Sequence, residues 1–286
     1  MRSFEYYRPR DLEEALKILD QNGPGVTLLS GGTNVLVDWR SGIISPKFLM
    51  DIFHLRELRF IEDHGDLISI GSTTTMKAIA SSSTIRSFAT FLGEAASQVG
   101  SPQVRNRATI GGNIVSASPA ADTLPPLLVL ETTLCLKSLH EERQVSLASF
   151  LRGAKATGLR DNEILVSIRF PKPSAEAIGR FVKFGRRNAL AISVVNIALL
   201  LVQRNGVKEI GEARVALGAV GPKAFRVGQV EDFLFGKTLE PETIREAAEM
   251  AAYQCRPISD IRANAEGRRK LVKVLLEEVL SQLACS

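Results

Sequence analysis

Cysteine is scarce in this chain. Cys135, Cys255 and Cys285 lie far apart with no CxxC spacing, so they cannot build a four-cysteine iron–sulfur or zinc site alone, and an odd, scattered set is not a disulfide framework. A reduced, intracellular compartment follows. Long apolar runs are missing as well. The longest candidate, 189–202, is broken by Ser193 and Asn196 and is too short to span a bilayer. Residues 1–7 lack the apolar core of a signal peptide, and a cytoplasmic protein is the expectation. Massed charge of one sign is also absent: the net charge is +5 over 286 residues, with bases and acids interleaved. The densest basic run, Arg268-Arg269-Lys270, has Glu266 before it and Glu277-Glu278 after it. It reads as the solvated face of a helix, whereas nucleic acid needs a denser stripe.

What is present is a globular composition, 45% hydrophobic and 23% charged, in a chain long enough for one large domain or two of ordinary size. Asp11 followed by Glu14 forms a capping-box pattern; Leu12, Ala15, Leu16 and Leu19 then share one helical face, and Gly23 ends the helix. Strands are predicted at 26–29, 48–52, 67–70, 132–138 and 163–170, and helices at 75–82, 88–99 and 124–130. The run 34–39 reads as a further strand. Pro171 to Gly179, with two prolines and small polar residues, is the best linker candidate. Beyond it come three strands (180–184, 192–203 and 207–220), with a tight hairpin at Asn205-Gly206, and then helices at 230–235, 242–255 and 263–283. A small antiparallel sheet covered by helices would bury them together. The phenylalanines 225, 233 and 235 read as ordinary core.

Two glycine pairs interrupt these elements. Ser30-Gly31-Gly32-Thr33-Asn34 and Thr109-Ile110-Gly111-Gly112-Asn113 each set a glycine pair between a hydroxyl residue and an asparagine. A plain turn explains either pair taken singly, because glycine reaches positive φ without a Cβ clash. Together they suggest nests, in which main-chain N–H groups converge on an anionic oxygen while Ser or Thr adds donors. The second pair is followed by Ser116, Ser118 and Asp122 in an otherwise apolar neighbourhood. No lysine follows either pair as in a P-loop, and neither fits GxGxxG. A phosphate-containing cofactor in a less common architecture is the reading these residues support.

The stretches "LLSGGTNVLV" and "VRNRATIGGNIVSASPAAD" resemble the two flavin-binding segments of the FAD-binding medium subunits of molybdenum hydroxylases, the group of xanthine dehydrogenase and carbon monoxide dehydrogenase. "FEYYRPRDLEEALKIL", "EILVSIRFP" and "FVKFGRRNALAISVVNIALLL" resemble further landmarks of that family, so the likeness covers nearly the whole chain. It implies an α+β fold. A two-part FAD-binding domain of the vanillyl-alcohol oxidase (PCMH) type would span 1–173, its parts at about 1–55 and 56–173. A C-terminal domain with a three-stranded antiparallel sheet and helices would span 174–286.

Carried over by position, Leu29, Ser30, Gly31, Gly32, Thr33, Asn34 and Val35 would wrap the diphosphate. Ala108, Thr109, Gly111, Gly112, Asn113 and Ser118 would come from the second segment. Asp122 would bond ribityl or ribose hydroxyls, and Lys183 would lie near the flavin edge. The first loop holds no histidine, and His54, His64 and His140 lie elsewhere; the FAD is therefore expected to be noncovalent. Molybdopterin and iron–sulfur clusters are expected only on partner subunits, a molybdopterin-containing large one and an iron–sulfur small one, with electrons leaving to NAD+ or another acceptor. The alternative within the same fold is a stand-alone FAD-dependent reductase of a UDP-sugar cell-wall precursor. A module that has lost FAD is a third reading, weakened by the retained glycines.

Overall fold

A computed structural model describes residues 4–187, 190–204 and 208–284. The capping pattern at Asp11 starts the helix Leu12–Asn22: the Asp11 carboxylate accepts from Glu14 N at 2.8 Å, and Glu14 reaches back to Arg10 N at 2.7 Å. Its apolar face, Ala15, Leu16 and Leu19, packs with Met50, Ile52, Leu55 and Leu58 in a small core of its own. That core backs a parallel three-stranded sheet in the order Glu5–Tyr7, Phe48–Asp51, Val26–Leu29.

The next layer is a five-stranded antiparallel sheet, ordered Ile61–Asp63, Leu67–Gly71, Ile164–Pro171, Thr133–Lys137, Glu142–Ser146. Its largest core gathers Ile68, Ile70, Leu134, Ile168 and Phe170 with the helices Met76–Ser81, Thr90–Ser97 and Leu124–Val129. The third sheet is antiparallel and has four strands, Ile178–Phe184, Val195–Gln203, Ile210–Gly218 and the two-residue Phe225–Arg226. The expected three strands are therefore joined by a fourth. The Asn205-Gly206 turn lies outside the described residues.

Val195–Gln203 explains the chain's longest apolar run. Alternate side chains serve different cores: Ala198 and Leu200 join the large central core, whereas Ile197, Leu199 and Leu201 join the core under the helices Pro241–Gln254 and Ala265–Ala284. A strand covered on both faces needs apolar residues at every position, not at every second one. Among the described residues, no helix is long and apolar enough to cross a membrane.

Several expectations are corrected. The run after the first glycine pair is a helix, Val35–Arg40, and not a strand; it hydrogen-bonds within its own turn, Leu36 N to Gly32 O and Asp38 N to Asn34 O. The linker candidate is short, since strands reach Pro171 on one side and begin at Ile178 on the other. Phe235 is 57% exposed under the guanidinium of Arg204 and is not core. Arg268 does not belong to a solvated face. It is 3% exposed, and its guanidinium donates to Val194 O at 2.7 Å, Ala219 O at 2.9 Å and Asp260 Oδ1 at 2.8 Å. One arginine thereby ties the last helix to the ends of two strands and to the preceding loop.

Burial pushes the Asp260 carboxyl up, but the N–H of Arg262, the Arg268 guanidinium and the N–H of Ala263 together outweigh it. Its pKa falls from 3.8 to about 2. A carboxylate depressed in the folded state stabilises above its unfolded pKa and loses that contribution as pH falls through the folded one. Asp260→Asn is therefore expected to lower the urea midpoint by a constant gap above about pH 4, and the gap should close as pH falls towards about 2. A gap that stays constant down to that pH would contradict the role given to this carboxylate.

Candidate functional site

The two glycine segments meet. A Cβ on Gly31 would lie 2.0 Å from the carbonyl oxygen of Arg107, so the first bend rests directly on the backbone leading into the second. Side chains stitch the contact: Ser30 Oγ and Thr109 Oγ1 are 3.0 Å apart, and Asn34 Nδ2 donates to Ser116 Oγ at 3.0 Å. Arg107 Nε reaches Gly31 O at 3.4 Å, and its guanidinium lies 3.8 Å from the Phe53 ring centroid.

The two segments do not contribute in the same way. Gly111 and Gly112 form no loop; they sit in the first turn of the helix Ile110–Ser116, capped by Thr109. The first N–H groups of that helix are already used inside the protein. Ile110 N donates to Thr74 O at 3.0 Å, Gly111 N to Ser72 O at 2.9 Å and Gly112 N to Thr109 Oγ1 at 3.1 Å. Glycine is needed at 111 because a Cβ there would come within 2.6 Å of Ser72 Cβ. In the first segment the situation is reversed. Among the described residues, none accepts a hydrogen bond from the N–H groups of Gly31, Gly32, Thr33 or Asn34, and Gly32 takes φ +77. Four consecutive donors without protein acceptors are what an anionic oxygen needs.

Both segments line one cavity of about 360 Å³. Ser30 to Val35, Ala108, Thr109, Gly111, Gly112 and Asn113 form part of its wall. Asn113 Oδ1 accepts from Thr123 Oγ1 at 2.8 Å. The lining is completed by residues that no site assignment named: Leu28, Ile52, Val99, Val104, Leu159, Ile164 and Leu165, with the polar Ser72 among them. The apolar ones suit a flat base such as adenine, and they come from several separate elements, which no local pattern could reveal.

Leu29, Ser118, Asp122 and Lys183 are not on this wall. The carbonyl of Leu29 accepts from Ile52 N at 2.9 Å, and that of Ser118 from Ala121 N at 3.0 Å. Lys183 lines a second cavity of about 750 Å³ with Gln98, Gly100, Arg105 and Arg187, and among the described residues no acid is on its wall. Val99 on one wall and Gln98 and Gly100 on the other make the two spaces neighbours. Behind Lys183 stands Asp122, 8% exposed, which accepts from Lys183 Nζ at 2.6 Å on Oδ2 and from Ser193 Oγ at 2.6 Å and Asn196 Nδ2 at 3.0 Å on Oδ1. Lys183 also donates to Gln98 O at 3.1 Å. A carboxylate has about four acceptor positions; three are taken here, all by the C-terminal sheet and its approach.

His54, His64 and His140 sit away from both walls, with the His54 ring 2.7 Å from Pro9 O. Cys135 and Cys255 are buried and free, and burial pushes the Cys255 thiol up to about 12. A thiol held protonated in this way is inert.

Comparison with known proteins shows the family. Residues 2–173 match the model of the FAD binding domain in molybdopterin dehydrogenase, and residues 180–283 that of the CO dehydrogenase flavoprotein C-terminal domain. The chain is 32% identical to the xanthine dehydrogenase FAD-binding subunit of Escherichia coli O157:H7, covering 97% of this chain and 94% of that one. It is 31% identical to the glyceraldehyde dehydrogenase medium chain of Sulfolobus acidocaldarius, covering 98% of each. A solved structure of carbon monoxide dehydrogenase from Hydrogenophaga pseudoflava superposes with a TM-score of 0.93 at 30% identity, covering 97% of this chain and 96% of that chain. This chain belongs to the FAD-binding medium-subunit family of the molybdenum hydroxylases.

Proposed function

We propose that this chain is the flavin-carrying subunit of a cytoplasmic molybdenum hydroxylase, linking an iron–sulfur partner to NAD+ or another acceptor. The observation that carries the reading is the set of four main-chain donors at Gly31 to Asn34, facing a cavity closed by a second glycine-bearing turn. Bound FAD would supply the redox chemistry, accepting electrons from one side and releasing them on the other. The rest is positioning. The N–H groups of residues 31–34 would hold the diphosphate noncovalently. Thr109 and Gly111 would set the distance between the two walls, and Asn113 and Val35 would close the ends. Leu29 and Ser118 contribute through the turns their carbonyls brace.

The ring half would enter the larger cavity beside Lys183. There Lys183 is paired with Asp122, so it presents a dipole and not a free cation; Arg105 and Arg187 supply the remaining positive charge on that wall. Asp122 is on neither wall; standing behind Lys183, it would offer its fourth acceptor position to one hydroxyl of the cofactor. A FAD-binding domain at 1–173, in parts 1–55 and 56–173, followed by a covering domain at 174–286, fits this division of labour. A stand-alone UDP-sugar reductase is not favoured, because the pair of matched domains is that of the molybdopterin dehydrogenases.

The full chain, freed of flavin and mixed with FAD, is expected to retain it through gel filtration and to show the two-banded visible spectrum of oxidised flavin. A chain that never acquires that spectrum would end the reading. Native isolation should bring a molybdopterin protein and an iron–sulfur protein with it; a chain that travels alone would argue for the reductase.

A further inference from the structure

The strand Leu67–Gly71 runs into four hydroxyls in succession, Ser72-Thr73-Thr74-Thr75. Three have clear structural duties. Thr73 donates to Leu58 O at 2.9 Å, Thr74 donates to Phe60 O at 3.0 Å, and Thr75 caps the helix Met76–Ser81 by accepting from Ala78 N at 3.2 Å. Ser72 is different. Its backbone is fully used, N donating to Val166 O at 2.9 Å and O accepting from Gly111 N at 2.9 Å. Its side chain is not: the residue is 4% exposed, and its buried Oγ has no hydrogen-bond partner among the described residues. A buried hydroxyl left unbonded destabilises the protein that carries it, and alanine would fill the same space without that cost.

The same serine lines the cavity that holds the free donors of residues 31–34. It stands between two kinds of wall, the glycine turn at Gly111 on one side and, through its bond to Val166, the apolar Ile164 and Leu165 on the other. It takes no part in the larger cavity beside Lys183. We infer that Ser72 Oγ is a cofactor-binding group, which hydrogen-bonds the adenosine diphosphate half of the dinucleotide. A serine hydroxyl can donate to a phosphate oxygen or a ring nitrogen and can accept from a ribose hydroxyl, so any polar atom of that half satisfies it. The assignment rests on the flavoprotein reading and adds to it a residue outside both glycine segments.

The test uses the full chain, wild type and Ser72→Ala, each stripped of flavin and titrated with FAD and with ADP, with melting temperatures taken before and after saturation. Ser72→Ala is expected to bind both ligands about tenfold more weakly, the ratio one good hydrogen bond carries. Without ligand it should melt at the wild-type temperature or above, since the change removes only an unbonded hydroxyl. Weaker binding beside unimpaired free stability is a pattern that a purely structural serine cannot produce. Equal affinities in the two proteins would overturn the assignment. So would a loss seen with FAD but not with ADP, or a free variant that melts below wild type. Wild type that takes up no FAD overturns this assignment and the flavoprotein reading together, whereas wild type that binds FAD no better than Ser72→Ala overturns this assignment alone.

Discussion

Gly31→Ala is expected to cost about 3 kcal/mol, divided between stability and flavin affinity, the upper part of the range for overpacking. Its added carbon would lie 2.0 Å from Arg107 O, 2.6 Å from Arg107 C and 3.1 Å from Ala108 Cα. All three are backbone atoms, so no rotamer change relieves the clash. The protein has two responses. If the bends stay together, the strain appears in the unfolding free energy. If they part, the free protein relaxes, but FAD must draw them together again to reach donors and wall at once, and affinity falls by roughly a hundredfold for that amount of strain. Urea unfolding of the free protein and flavin titration, taken together, measure the sum. Gly228→Ala is the control, since a Cβ there meets nothing within 4 Å, and the helix it opens should tolerate or prefer alanine. A Gly31→Ala protein with wild-type stability and wild-type affinity would mean that the two bends do not meet as described.

That contact shows what a sequence can and cannot disclose about such a site. The glycine pairs were legible because the absence of a side chain, next to Ser, Thr and Asn, is local chemistry. Their different roles were not. Ile110-Gly111-Gly112-Asn113 is a poor helix former, yet it is helical because Thr109 caps it and the carbonyls of Ser72 and Thr74 receive its first amides; those partners are more than thirty positions away. Likewise 35–40 carries Val, Leu and Val, a strand-like composition, and becomes a helix after the bend at Gly32.

The strand Glu142–Ser146 leaves no trace in the apolar pattern, because its residues alternate between exposed and half-buried and show no apolar face. Arg268 looks like its neighbours Arg269 and Lys270 until burial separates them. Ser72 is the sharpest instance: nothing local distinguishes it from the three threonines that follow, whereas its place on the cavity wall and its lack of a partner among the described residues do. In each case the missing information is tertiary, a partner or a cover supplied by a remote element.

Asp122→Ala is expected to destabilise the protein by about 3–5 kcal/mol, the range for removing one member of a buried ion pair. Lys183 and Asp122 are 7% and 8% exposed, so the loss leaves an ammonium with, among the described residues, only Gln98 O to meet it and strips Ser193 and Asn196 of their shared acceptor. The consequence reaches beyond one pair, because these partners belong to different layers. Asp122 precedes the helix Leu124–Val129 in the large central core, whereas Lys183 and Asn196 lie on adjacent strands of the C-terminal sheet. The carboxylate is the charged clasp between them, next to the cavity assigned to the flavin ring.

Cancelling the charge at both ends should therefore recover much of the loss: Asp122→Ala with Lys183→Met is expected to be more stable than Asp122→Ala alone by roughly 1–3 kcal/mol, the usual coupling between contacting residues. Flavin affinity should not recover with it, since the hydroxyl acceptor is still gone. If the double variant is no more stable than the single one, the ion pair is not what holds the layers. If it regains flavin affinity along with stability, Asp122 acts on the cofactor only by keeping the sheet in place.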